Sequence, residues 1–69
     1  MEPNLFALVH LYHNYRHVRT HGKYRPWAFT EIQQPDGDWV PGVIYTPIGQ
    51  SKNYTRPITS FIEKFEIEQ

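Results

Sequence analysis

Cysteine is missing from these 69 residues, so neither a disulfide nor a thiolate metal site can reinforce the fold. The pattern of a cysteine-rich secreted mini-protein does not apply, and a cytoplasmic location is the simpler expectation. Net charge is also missing: seven basic side chains balance seven acidic ones, which argues against a protein whose affinity comes mainly from coating a nucleic-acid backbone. No long apolar run occurs either. The longest, LFALV at residues 5–9, is far short of the roughly 20 residues that span a bilayer. A secretory signal would want a basic start, and the chain opens MEPN with an acid at Glu2, so it reads as a mature, soluble protein with no membrane partner. There is no glycine-rich phosphate loop, no internal repeat and no low-complexity segment. A chain of this size has room for one domain and one core, since it buries only about 60% of the surface its unfolded form exposes.

What is present is an uneven distribution of charge and rings. Residues 10–27, HLYHNYRHVRTHGKYRPW, hold all four histidines, three tyrosines and a tryptophan. The same stretch carries Arg16, Arg19, Lys23 and Arg25 with no acid among them, whereas the far end carries Glu63, Glu66 and Glu68 against Lys64. One basic aromatic surface and one acidic surface follow from that split.

Local patterning predicts mostly strand. Pro3 suits a first helical turn, and Leu5, Leu8, Val9 and Tyr12 recur at helical spacing, which predicts a short amphipathic helix over about residues 4–13. From Tyr15 onward, β-branched and aromatic residues are broken by glycine and proline as in a small sheet. His21-Gly22 is a turn candidate. Residues 23–33 read as a strand in which Pro26 marks an edge or bulge. Gln34-Pro35-Asp36-Gly37-Asp38 is the clearest turn and should close a hairpin onto residues 39–46, where Pro41-Gly42 suggests a second bulge. After the polar loop IGQSKN, Ile58, Phe61, Ile62 and Phe65 are spaced helically, and Ser60 and Glu63 have capping-box spacing. Phe65 and Ile67 alternate with charges as in a strand. The compromise is one helical turn at residues 57–62 and then a closing strand, with a core of Leu8, Phe29, Ile32, Val43, Tyr45, Phe61, Phe65 and Ile67. A small barrel or rolled antiparallel sheet is the economical architecture.

Several short motifs resemble a family. Tyr15-Arg16-His17, Gly22 and Tyr24, Val43-Ile44-Tyr45, Gly49, Tyr54-Thr55-Arg56-Pro57, Phe61, Glu63 and Phe65-Glu66-Ile67 resemble, in order and spacing, domain-of-unknown-function family 1653, small proteins of bacteria and phages. The likeness covers about residues 15–67. It departs at Phe29-Thr30-Glu31-Ile32-Gln33-Gln34, where such proteins show an A-x-H-S-E-T stretch. It implies a mainly β domain similar to an SH3-like barrel over residues 15–69, preceded by an N-terminal extension at residues 1–14. It implies no known reaction. It points to a phage or prophage origin, to the host cell cytoplasm, and to a role in modulating a host process.

For function, the residue types favour non-catalytic binding of a host protein. Aromatic residues make up 16% of the chain, and Tyr, Trp and Arg are the types that anchor interfaces. The expected contact residues are Tyr15, Arg16, Arg19, Tyr24, Arg25 and Trp27, with Arg56 either a bidentate anchor or the partner of an acid such as Glu63. The same face could instead stack and neutralise a nucleotide or nucleic acid. A histidine-based metal site would draw on His13, His17 and His21, but no carboxylate lies within the cluster to orient the rings, so no metal or other cofactor is expected. Catalysis is not expected either: Ser51 and Ser60 have no evident base, and Asp36 and Asp38 sit in a turn.

Overall fold

A computed structural model describes residues 4–68. Five antiparallel strands form one sheet in the order β4-β3-β2-β1-β5, with β1 at Tyr15–His17, β2 at Lys23–Gln33, β3 at Trp39–Pro47, β4 at Tyr54–Pro57 and β5 at Phe65–Ile67. A seven-residue helix, α1 (Ile58–Lys64), links β4 to β5. The fold is therefore a small, mainly β domain built on one antiparallel sheet, with a helical segment before its last strand. No helix among the described residues is long and apolar enough to cross a membrane.

The long hairpin is where local chemistry and register agree. Gly37 takes φ 96° at its tip, Asp36 accepts the Asp38 amide at 2.9 Å, and Gln34 N–H donates to the Asp38 carbonyl at 2.7 Å. Pairing then runs from Gln33↔Trp39 to Tyr24↔Pro47, with a register shift between Pro26 and Ala28. That bulge is the one Pro26 signals. No bulge forms at Pro41-Gly42: Glu31↔Pro41 and Thr30↔Gly42 stay in register. Pro41 is tolerated because β4 reaches only as far as Gly42↔Pro57, so β3 is an edge where Pro41 sits.

The N-terminal segment departs from the expected helix over residues 4–13. Only Leu5–Leu8 is helical, as a 3-10 turn capped by the Asn4 side chain, which accepts from Phe6 N–H at 3.1 Å. Val9 turns extended at φ −121°, and Tyr12 adopts a left-handed φ of 67°. Tertiary bonds outbid the helix here: His10 N–H donates to the Tyr15 hydroxyl at 2.9 Å, and Tyr12 N–H to the Pro26 carbonyl at 2.7 Å. Val9 is thereby buried in the common core, with Leu5, Phe6 and Leu11 packed against it, while Leu8 is left 48% exposed rather than buried.

The core gathers Val9, Tyr15, Val43, Tyr45, Ile58, Phe61 and Phe65 between the sheet and α1. Of the expected core, Val43, Tyr45, Phe61 and Phe65 are buried, and Phe29, Ile32 and Ile67 are half-buried. Phe61 and Phe65 stack at 4.5 Å and 10°, one helical turn apart across the end of α1. Their alignment explains why the segment has both a helical and a strand-like reading. Phe65 closes the helix, its N–H reaching the Phe61 carbonyl, and opens the strand at φ −127°. The capping box does not form: Pro57 is the N-cap, and Ser60 inside α1 accepts from Arg56 instead.

Candidate binding site

Strand alternation decides which side chains share a surface. Tyr54 and Arg56 are two residues apart on β4 and so lie on one face, opposite Tyr45 and Val43 of β3. His17 of β1 stands opposite Phe65 of β5, and Tyr15 opposite Tyr24 of β2. Rolling the sheet brings these positions together around a pocket of about 210 Å³, lined by His17, Thr20, Tyr24, Tyr45, Tyr54, Arg56 and Phe65.

The walls are rings packed edge to face. Tyr24 meets Phe65 at 5.2 Å and 89° and Tyr45 at 5.7 Å and 76°, while Tyr45 lies 5.8 Å from Tyr54. Gly22 makes room for Tyr24, since a Cβ there would come within 3.1 Å of its ring. His17 is fixed from two sides. Its ring stands at 87° to Phe65 at 4.9 Å, and its Nδ1 accepts the Arg19 and Thr20 amides at 3.2 Å each. With Nδ1 an acceptor, the ring proton sits on Nε2, which makes that nitrogen a donor.

Arg56 supplies the charge. Its Nε donates to the Tyr45 hydroxyl at 3.1 Å, one Nη donates to Ser60 Oγ at 3.1 Å, and the guanidinium lies 5.8 Å from the centre of the Phe65 ring. Among the described residues it has no carboxylate partner. The ion pairs there are Arg16–Glu66 and Lys23–Glu68, and Glu63 does not pair with it. No acid lines the pocket.

The other expected contact residues fall on different surfaces. Tyr15 is buried at 5% exposure, its ring against Phe61, and so offers no outward contact. Arg16 points away from the pocket and bridges β1 to β5 through Glu66. Arg19 is exposed on the turn after β1. Arg25 and Trp27 alternate on the outer face of β2 and line a second hollow of about 220 Å³ with Pro47 and Ile48. Asn14 Oδ1 holds Arg25 by accepting from Nε and Nη2, and Trp27 Nε1 donates to Thr46 Oγ1 at 3.0 Å. Of the six residues expected in one face only Tyr24 lines the ring-lined pocket, where it meets Arg56, the separately expected anchor.

The histidines do not converge on a metal. His10 and His13 lie 5.6 Å apart, His21 is exposed at φ 65°, His17 belongs to the pocket wall, and no three His, Asp or Glu side chains cluster among the described residues. The sequence pointed to His17 only as a metal candidate, and Tyr45, Tyr54 and Phe65 were not expected in a site. One signal was available, because Tyr54 and Arg56 at a two-residue interval in a strand must share a face. No family model, curated protein or solved structure matches this chain.

Proposed function

We propose that this domain is a non-catalytic recognition module that binds a partner protein through the pocket of Tyr24, Tyr45, Tyr54, Phe65, His17 and Arg56. The observation that carries the reading is Arg56: a positive charge held in place by two hydroxyls and a ring, open to a pocket without an acid. Arginine beside exposed tyrosine is the composition of an interface anchor. A non-catalytic role is supported by the lining itself, where His17 spends Nδ1 on backbone amides and no carboxylate stands by to orient a base. That the partner belongs to the host of a phage is proposed on the short motifs resembling family 1653 alone, since no family model matches the chain.

Binding of a nucleotide or nucleic acid is the second reading, favoured by Arg25 beside Trp27 in the outer hollow. Two of the four cations of residues 10–27 are, however, already near acids, Arg16 at Glu66 and Lys23 4.0 Å from Glu68. That pairing weakens a phosphate-tracking face. Affinity capture from host lysate with and without nuclease separates the two. Protein binding predicts a protein retained in near-equal amount in both samples and lost with Arg56→Lys. Material lost on nuclease treatment, or with Arg25→Gln but not Arg56→Lys, transfers the assignment to the outer hollow.

A further inference from the structure

Resting on that reading, we infer that the pocket is a receptor for an oxyanion carried beside a flat ring, and that its occupant is a carboxylate with an adjoining aromatic group, as at the C-terminal aromatic residue of a partner chain. A guanidinium has five N–H donors, and Arg56 spends two, on Tyr45 and Ser60. Its Nη2 has no hydrogen-bond partner among the described residues and is not buried, so the two donors on that nitrogen reach solvent. They lie in a plane held on its other side by Tyr45 and Ser60, and they offer a carboxylate oxygen charge-assisted donors.

The surroundings select for an anion too. The polar groups around the hollow are the hydroxyls of Thr20, Tyr24, Tyr45 and Tyr54, which can all donate, and Nε2 of His17, which must donate in the tautomer that its Nδ1 bonds impose. A cationic ligand would meet Arg56 and no counter-charge. The hollow of about 210 Å³ is also larger than a carboxylate needs, and the remaining wall is the Tyr54 ring, 43% exposed, beside Tyr24 and Phe65. That wall offers stacking area to a planar group next to the anion. Because Arg56 and His17 are already held by internal bonds, a ligand would meet donors in place and immobilise little on binding.

The test uses the intact domain and small probes, read by the Arg56 Nε–Hε and ring resonances in NMR titrations. N-acetylphenylalanine should perturb Arg56, Tyr54 and His17. N-acetylphenylalaninamide, which lacks the carboxylate, should bind about tenfold more weakly or worse, the loss expected for a hydrogen bond to a charged group. Arg56→Lys, or Tyr54→Ala should the lysine variant fail to fold, should weaken the acid by a similar factor, and Lys52→Gln, which does not line the pocket, should not. Equal binding of acid and amide, or a Lys52→Gln loss as large as the Arg56→Lys loss, overturns the oxyanion site. Phenyl phosphate provides the other arm: tenfold tighter binding than the acid would overturn the carboxylate as the natural group. Capture of a partner protein keeps the two proposals apart. A protein lost with Arg56→Lys while acid and amide bind alike sinks the oxyanion site and leaves the recognition module standing; a protein retained by wild type and Arg56→Lys alike overturns both. N-acetylphenylalanine binding at Arg56 with no protein captured does the reverse.

Discussion

Gly42 faces Ile32 diagonally across the β2–β3 hairpin, so closely that a Cβ on Gly42 would lie 2.6 Å from Ile32 Cδ1 and 2.8 Å from Cγ1. Gly42→Ala should therefore destabilise the domain by about 1–3 kcal/mol through overpacking. The cost should fall when Ile32→Ala removes both contacted atoms. A double-mutant cycle by urea denaturation checks this, and equal costs in both backgrounds would locate the effect elsewhere.

Phe61 is fully buried, with Tyr15, Tyr45 and Phe65 all within 5.2 Å ring to ring. Truncation of such a residue to alanine costs about 3–5 kcal/mol. A domain this size has about 3–10 kcal/mol in all. Phe61→Ala should consequently lose most of its near-ultraviolet circular dichroism at room temperature, and a cooperative transition with the wild-type midpoint would contradict the packing.

Two amides of the turn after β1, those of Arg19 and Thr20, rest on one atom, His17 Nδ1. His17→Phe keeps a ring against Phe65 and removes the acceptor. Hydrogen exchange of the Arg19 and Thr20 amides should accelerate while the global midpoint stays within about 1 kcal/mol of wild type. Unchanged exchange would mean those amides are protected by something else.

Arg16 and Glu66 join β1 to β5 through exposed side chains. The Arg16 pKa is raised, first by the hydrogen bond to Glu66 and then by its charge. A raised folded pKa means that the contribution is complete below the unfolded value and is lost only as pH climbs through the folded one, far above neutrality. Glu66→Gln should thus lower the thermal midpoint slightly and by the same amount at neutral and mildly alkaline pH, and the difference should vanish at about 1 M salt, where screening is short-ranged. A loss that grows between neutral and mildly alkaline pH would implicate another group.

Where the sequence carried local chemistry, it was readable. The residue 34–38 turn, the full extent of β2 and the Pro26 bulge all follow from glycine and proline placement. Residues 4–13 depart from the expected helix because their helical spacing is real but loses to long-range bonds: Tyr12 to Pro26 and His10 to Tyr15. Pro41 was over-read because a proline's tolerance depends on whether a neighbouring strand is present, which one strand's residues do not disclose. The candidate site was the least legible part. Basic and aromatic residues adjacent in sequence project from opposite faces of β1 and β2, whereas the pocket draws on residues as far apart as His17 and Phe65.

The pairing of β1 with β5 also sets an order of assembly. The β2–β3 hairpin closes over a short loop, but Tyr15 meets Ile67 only after nearly the whole chain has been gathered. Long-range closure of that kind is the slow step in folding a small β protein, since chain entropy is lost before the contacts form. Phe65, which floors the pocket, arrives with this final strand. Under the proposed function, binding at the pocket would be a report on completed folding, and a chain still emerging from the ribosome would hold its hairpin before the proposed site existed.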